Sequence, residues 1–198
     1  MATDARRSAL AAHAGRMADA SGDDVRLRGV PGLAQTGLRV APDGPAAARV
    51  ATALGAALPL EPCTVAAADE RRTLWLGPDE WLVVGPAGTE VATLGALREA
   101  VGDEGSAVDL SANRVVVEVA GPAARDVLST CCPLDLHASA FGPDRVAGTL
   151  LGTAQAFVER TTDEPCFRIH VRPSFLAYAV DWLVAGIEGV RAEASATG

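Results

Sequence analysis

The sequence contains no lysine, and all 17 of its basic residues are arginine. A chain without lysine forms no Schiff base, has no lysine general base and has no P-loop lysine with which to hold a phosphate. Alanine, glycine and arginine are abundant throughout. This composition is typical of a GC-rich coding genome, so the missing lysine excludes chemistries without indicating a function.

Positive charge and long apolar runs are also scarce. The formal net charge is −8 and the isoelectric point is about 4.8, so the chain repels a phosphate backbone and nucleic acid is excluded as a partner. No apolar run reaches the roughly 18–20 residues that cross a bilayer. Residues 1–24 carry charge throughout, without the apolar core of a secretory signal. We therefore expect a cytoplasmic protein with no membrane partner.

Metal-binding and catalytic motifs are missing as well. The 4 cysteines form no C-x-x-C pair, and the 3 histidines stand apart from one another, so no metal site is predicted. The sequence has no G-x-G-x-x-G, H-E-x-x-H or G-x-S-x-G motif. His170 lies within an apolar stretch, where a hydrogen-bonded sheet histidine is expected. We assign no catalytic residue, metal ligand or cofactor-binding residue to this chain.

Gly-Pro steps divide the remaining sequence into two similar halves. Proline fixes φ and lacks a donor, yet it is favoured in the first turn of a helix, so the steps at 44–45 and 121–122 predict strand-to-helix junctions. Each half follows the order strand, helix, strand, strand, helix. The first is predicted at 38–41, 45–57, 63–68, 73–84 (a hairpin) and 88–101; the second is predicted at 113–120, 122–132, 148–160, 166–172 and 174–188.

This order predicts an α+β fold made of duplicated split βαβ (ferredoxin-like) units, with helices on one face of antiparallel sheets. We expect a single domain over residues 25–190, composed of pseudo-repeats at about 36–102 and 108–190. Residues 1–24 are expected to form a flexible or weakly helical leader, and residues 191–198 a flexible tail.

The stretch TLWLGPDEWLVVGP, residues 73–86, holds two of the three tryptophans of a chain that is only 4% aromatic. Its Gly-Pro-Asp-Glu segment predicts the turn of a hairpin. Strand alternation places Trp75, Trp81 and Val83 on one face. Two interpretations remain open: one tryptophan fills a core and the other lies at its edge, or all three residues form a surface that binds a partner.

Asp109, in the segment VDLSANR, ends a predicted strand. An Asx-turn or a helix cap is the ordinary role of an aspartate at such a position. A folate-binding protein would need a carboxylate to receive the pterin in a deep pocket, and Asp109 is the one residue we nominate for that role.

Four segments together resemble a known family. LGPDEWLVV (76–84), VDLSANRVVVEVAGPAARDVL (108–128), CPLDL (132–136) and RPSFLAYAVDWL (172–183) are similar to the gamma subunit of heterotetrameric sarcosine oxidase. The likeness extends over roughly residues 25–190 with the segments in the same order. It also implies a fold like the folate-binding domain of the glycine-cleavage aminomethyltransferase, which agrees with the repeat found independently.

The resemblance implies a non-catalytic subunit that assembles with alpha, beta and delta subunits and stabilises those that carry flavin. The assembly would oxidatively demethylate sarcosine to glycine, with hydrogen peroxide and formaldehyde or methylene-tetrahydrofolate as the other products. FAD, FMN, NAD, tetrahydrofolate and zinc would belong to the partner subunits. The folate-dependent relatives use a Lys-Gly-containing segment that this lysine-free chain lacks. A folate-binding one-carbon transfer protein and a free-standing adaptor of the same fold remain the alternatives.

Overall fold

The computed structural model describes residues 2–162 and 164–197, with five α-helices and ten strands in that part of the chain. The helices are α1 (Ala2–Ala20), α2 (Pro45–Leu54), α3 (Glu90–Val101), α4 (Ala124–Cys131) and α5 (Leu176–Thr197). The strands are β1 (Arg26–Val30), β2 (Ala34–Val40), β3 (Val65–Ala68), β4 (Arg71–Gly77), β5 (Glu80–Gly85), β6 (Gly105–Asp109), β7 (Val115–Ala120), β8 (Arg145–Leu151), β9 (Ala154–Arg160) and β10 (Cys166–Val171).

The chain forms two compact units. Unit 1 contains residues 2–3 and 32–113, and unit 2 contains residues 4–31 and 114–197. Unit 2 is therefore discontinuous in sequence, because residues 32–113 separate its two segments.

Unit 1 is a five-stranded antiparallel sheet in the order β3-β4-β5-β2-β6, with α2 and α3 packed on one face. Helix α2 begins at a Gly-Pro step, with Gly44 as N-cap and Pro45 as first helical residue, and it ends where Gly55 adopts a φ of 76°. These are the favoured start and stop signals of a helix. The core joins both helices to alternate strand residues: Leu38, Val40, Ala46, Val50, Leu54, Leu58, Trp81, Val83, Leu97, Ala100, Val101 and Ala107.

Unit 2 has a second five-stranded antiparallel sheet, in the order β1-β7-β10-β9-β8, and α1, α4 and α5 contribute to the core on one face. The buried residues of α5 recur at helical spacing: Leu176, Ala179, Val180, Leu183, Val184 and Ile187. They meet the apolar positions of β7 and β10, which are Val115, Val117, Val119, Phe167, Ile169 and Val171. The apolar stripe of α5 therefore packs against the apolar face of the sheet.

The two sheets have equivalent strand orders. In unit 1 the sequence β2-α2-β3-β4-β5-α3 gives the order β3-β4-β5-β2, and in unit 2 the sequence β7-α4-β8-β9-β10-α5 gives β8-β9-β10-β7. The fifth strand beside β2 is β6, which follows its helix, whereas the fifth strand beside β7 is β1, which comes from the start of the chain. The duplicated α+β arrangement predicted from the sequence is confirmed.

Several predicted elements differ from those found. The stretch predicted as one strand at 148–160 is the hairpin β8–β9, which turns at Gly152 with a φ of 58°. The edge strands β1 and β6 were not predicted. The expected leader is occupied by α1, in which Leu10 and Met17 are buried, and α5 continues to Thr197 into the expected tail. Residues 1 and 198, at the ends of these two segments, lie outside the described residues.

The loop before β1 is tied to α5 by an ion pair. Arg191 donates from Nε to Asp24 Oδ2 at 2.8 Å and from Nη2 to Asp24 Oδ1 at 2.6 Å, and its Nη1 donates to the carbonyl of Ala20 at 3.0 Å. The hydrogen bonds from Arg191 lower the pKa of Asp24 to about 2. This bidentate contact fixes the chain between α1 and β1 against the last helix.

Replacing Asp24 tests that contact. Asp24→Asn is expected to lower the free energy of unfolding by about 1 kcal/mol at pH 7, since a half-exposed ion pair is partly screened by solvent. The folded pKa lies below the unfolded value of about 3.9, so the contribution is complete above that value and is lost as the pH falls toward 2. Urea denaturation at pH 7 and pH 2.5 measures the difference. The exposed neighbour variant Asp23→Asn is the control, and a loss independent of pH would contradict the assignment.

Candidate functional site

The tryptophan hairpin is the β4–β5 pair, and its register places Trp75 directly opposite Trp81. Trp81 is fully buried in the core of unit 1, and its Nε1 donates to the carbonyl of Pro59 at 2.8 Å. Val83 is buried in the same core, whereas Trp75 is half-buried and packs against it. The shared face inferred from strand alternation is therefore the face covered by α2 and α3.

The burial of Trp81 and Val83 limits which of the three residues a partner could contact. Trp81 and Val83 have no free surface on this chain, because the helices of their own unit cover them. Alternation identified the shared face correctly, but it carries no information about which face the helices occupy. Of the three residues, only Trp75 keeps exposed surface with which a partner could form a contact.

Truncating the two tryptophans separately is expected to distinguish their roles. Trp81→Ala should lower the free energy of unfolding by about 3–5 kcal/mol, because it leaves a large cavity. It also leaves the Pro59 carbonyl without its donor. Trp75→Ala should cost about 1 kcal/mol, in proportion to the smaller area that it buries. Urea denaturation of the two variants gives the comparison, and equal losses would contradict the core assignment of Trp81.

Asp109 is exposed at the end of β6, and its Oδ1 accepts a hydrogen bond from the Ser111 amide at 2.8 Å. This is the Asx-turn expected from the sequence. The Ser111 hydroxyl in turn accepts a hydrogen bond from the backbone N–H of Gln35 at 2.9 Å, so the turn also anchors β2. This geometry gives Asp109 a structural role.

Charged side chains cross the sheet of unit 2 in a single row on the face opposite its helices. In register, Arg28 of β1 lies beside Glu118 of β7, Glu118 beside Arg168 of β10, and Arg168 beside Glu159 of β9. Arg28 Nε donates to Glu118 Oε1 at 2.6 Å, and Arg168 Nε lies 3.4 Å from Glu118 Oε2. We call these four residues the charge ladder. Opposite charges on neighbouring strands stabilise such a row.

His170 extends the charge ladder at its buried end. Its Nε2 lies 3.2 Å from Glu159 Oε2, and both side chains are essentially inaccessible to solvent. The expectation of a hydrogen-bonded sheet histidine is confirmed. Buried charged groups are tolerated only when they are paired, and the ladder supplies a partner for each carboxylate. None of these carboxylates is left available as a general base.

The charge ladder was missed at the sequence level, although a signal for it exists. Its members are polar positions in strands that are otherwise largely apolar, in the segments RLRGV, VVVEVA, AQAFVER and CFRIHV. Alternation alone predicts a solvated polar face. It does not give the register that aligns arginine with glutamate across four strands.

The four cysteines are free thiols with different environments. Cys131 and Cys132 at the end of α4 are buried, and burial raises the pKa of both thiols. Cys63 and Cys166 are half-buried. Among residues 2–162 and 164–197, no group of three or more histidine, cysteine, aspartate or glutamate side chains could hold a metal ion.

Alkylation should separate these two classes of thiol. Iodoacetamide at pH 8 is expected to modify Cys63 and Cys166 at least about tenfold faster than Cys131 and Cys132, because the buried pair has both less thiolate and less access. Mass spectrometry of tryptic peptides from the native chain gives the rates, and the denatured chain is the control. Uniform rates in the native chain would contradict the burial.

An aromatic patch lies on the exposed side of α5. Trp182 is 40% exposed and meets Tyr178 edge-to-face at a centroid distance of 6.2 Å. The Tyr178 hydroxyl accepts a hydrogen bond from the Thr153 amide at 2.9 Å, so the β8–β9 turn packs against these rings.

No helix in the described part of the chain has the length and apolar character needed to span a membrane.

Comparison with known families gives a single consistent result. The family described as "Sarcosine oxidase, gamma subunit family" matches residues 39–188. The chain belongs to the sarcosine oxidase gamma subunit family.

Individual relatives match over nearly the full length. The chain is 40% identical over 185 residues to a sarcosine oxidase subunit gamma of Corynebacterium sp. (strain P-1), covering 92% of this chain and 90% of the relative. It is 41% identical over 162 residues to the subunit gamma of an Arthrobacter species, covering 81% and 78%. The family resemblance stated from the four sequence segments is confirmed.

Solved structures agree with the sequence relatives. A chain in the heterotetrameric sarcosine oxidase of Corynebacterium sp. U-96, solved with pyrrole 2-carboxylate, is similar at a TM-score of 0.85 and 38% identity, covering 91% of this chain and 94% of that one. The glycine-cleavage aminomethyltransferase T of Bartonella henselae is similar at a TM-score of 0.61 and 17% identity, covering 89% of this chain and 48% of that one. The second likeness shows the fold alone, and it confirms the predicted fold class.

Proposed function

We propose that this chain is the non-catalytic gamma subunit of a heterotetrameric sarcosine oxidase, and that its role is to assemble and stabilise the flavin-bearing subunits. The observation that carries this proposal is the similarity, at a TM-score of 0.85 over 91% of this chain, to a chain of such an enzyme. Its partners would be the alpha, beta and delta subunits, in a cytoplasmic complex that demethylates sarcosine to glycine.

The cofactors of the complex would belong to the partner subunits. FAD, FMN, NAD, tetrahydrofolate and zinc are all assigned there, and the sarcosine-derived methyl group would leave as formaldehyde or methylene-tetrahydrofolate. The side chains of this subunit support that division of labour. Glu118 and Glu159 are closed into the charge ladder, and Asp109 is held in its Asx-turn. These three carboxylates are engaged in contacts that hold the fold.

We also propose a contact between Trp75 and a partner subunit. Trp75 is the tryptophan of the hairpin that keeps accessible surface, and tryptophan is enriched where an interface becomes dry. Residues 25–190 would act in the complex as one assembly module built from the two repeats.

Reconstitution tests the proposed function. The four subunits from the source organism are co-expressed, with an affinity tag on the C-terminus of this chain. We expect the alpha, beta and delta subunits to co-purify with it, to show flavin absorbance and to produce hydrogen peroxide when sarcosine is added. The tagged chain alone should be colourless and should not oxidise sarcosine. Omitting it should reduce the yield of active complex by at least about tenfold, because assembled subunits are stabilised by mass action.

Two results would contradict the proposal. One is a fully active and stable complex of the other three subunits that neither retains nor requires this chain. The other is a solitary chain that binds a reduced folate stoichiometrically, which would favour the one-carbon alternative and direct attention to Asp109.

A further inference from the structure

Strand β1 forms one edge of the unit 2 sheet, with β7 on its inner side. In an antiparallel pair, alternate residues direct their backbone groups away from the neighbouring strand. Leu27 is such a residue, since its amide donates to Ser21 Oγ at 2.9 Å on the outer side. The carbonyl of Val25 is also occupied there, by the Gly22 amide at 2.8 Å. The first half of the edge is therefore sealed by the chain that follows α1.

Gly29 is the next outward-facing residue of the same edge. It follows Leu27 by two positions, so its N–H and C=O point to the same outer side. No contact described for residues 2–162 and 164–197 covers them as Ser21 covers Leu27. An unpaired pair of backbone groups on an edge strand is a template for another strand.

An apolar groove lies directly beside this open position. It has a volume of about 320 Å³ and is lined by Leu10, Ala11, Ala14, Met17, Gly29 and Pro31. Glycine at position 29 makes the groove possible, because a Cβ there would lie only 2.8 Å from Leu10 Cδ2. Helix α1 can therefore approach the edge closely and present small alanines toward it. The groove can take an apolar side chain from a strand that pairs at Gly29.

The other face of the same edge is basic. The charge ladder alternates in sign from Glu159 through Arg168 and Glu118 to Arg28, and it ends there. The Arg28 side chain is 68% exposed, and Arg26 is exposed one row further along. The residue that next faces Arg28 across the outer edge would continue the alternation if it were acidic. The two charged residues of β1 are both arginines, in a chain whose formal net charge is −8.

We propose that the outer edge of β1 binds an extended segment of another subunit of the enzyme, in which acidic and apolar residues alternate. The segment pairs with the backbone of Gly29, places a carboxylate beside Arg28 and inserts an apolar side chain into the groove along α1. This is strand addition to a sheet edge, in which the backbone provides affinity and alternate side chains provide specificity. The inference rests on the proposed function, since it specifies how the subunit contacts its partner.

The charges of the edge argue against a second copy of this chain as the occupant. Two β1 edges paired with each other would place arginines from both strands on the same face. Like charges facing each other across strands are unfavourable. An acidic segment from a different subunit satisfies the same arginines, so the edge favours a heterologous partner.

Photo-crosslinking in the assembled enzyme identifies the occupant. A benzoylphenylalanine replaces Ala11 in the groove, and the matched control carries it at Ala12, the exposed neighbour that does not line the groove. Irradiation of the purified complex, followed by mass spectrometry, is expected to join position 11 to a segment of another subunit with carboxylates at alternate positions. A crosslink to a second copy of this chain, to a segment without that pattern, or only from position 12 would overturn the proposal.

Variants and hydrogen exchange then test the contact itself. Ala11→Glu should reduce co-purification of the other subunits at least about tenfold relative to Ala12→Glu, because it puts a carboxylate into an apolar groove. Arg28→Gln should do so relative to Arg172→Gln, an exposed arginine at the end of β10. Thermal melting of each free chain shows whether a variant still folds. The Gly29 amide should exchange rapidly in the free chain and become at least about tenfold slower in the complex, as a newly bonded amide does.

These outcomes separate the inference from the proposed function. If the unmodified chain fails to recruit the other subunits, the proposed function fails. If it recruits them, while folded Ala11→Glu and Arg28→Gln chains recruit them equally well and Gly29 exchange does not change, the proposed function stands and the β1 contact is wrong.

Discussion

Strand β1 pairs in register with β7, residue by residue from Arg26 opposite Ala120 to Val30 opposite Val116. Residues 32–113, which form the sheet and helices of unit 1, lie between these two strands in the sequence. Closing so long a loop costs more conformational entropy than a hairpin does, although the cost grows only slowly with length. Burial of Leu27, the Arg28–Glu118 contact and the ladder of backbone bonds must offset it. The discontinuity of unit 2, the completion of its sheet and the position of the open edge all follow from this one pairing.

The duplicated fold explains why the first and last segments of the chain matter to unit 2. Unit 1 takes its fifth strand from β6, directly after α3, whereas unit 2 has α5 at the equivalent point and takes β1 instead. Helix α1 then packs against β1 through Leu10 and Met17. The bidentate contact between Arg191 and Asp24 joins the last helix to the loop that leads into β1. Helices α1 and α5 thereby contribute to the same core.

Prediction from sequence succeeded where local patterns decide the structure. The Gly-Pro steps at 44–45 and 121–122 lie at or just before the starts of α2 and α4, and alternation placed Trp75 and Trp81 on one face. Prediction was less successful where tertiary contacts decide the structure. Strand β1 is a five-residue edge strand with two arginines, and a short run of that composition reads equally well as a loop. The Gly152–Thr153 turn did leave a signal, since a Gly-X pair between apolar runs favours a two-residue hairpin. The burial of Trp81 and the charge ladder depend on sheet register and helix placement, which alternation does not determine.

The distribution of exposed groups suits a subunit that must stay dispersed until its partner is present. An exposed surface formed by tryptophan side chains would drive self-association. In this chain, Trp81 is covered by the helices of unit 1, and the open edge of β1 is flanked by arginine. Charged residues on edge strands are a common protection against pairing between identical chains. The same arginines stabilise pairing with an acidic strand, because the row of alternating charges then continues across one more strand. Specificity at this edge therefore comes from what the arginines repel as well as from what they attract.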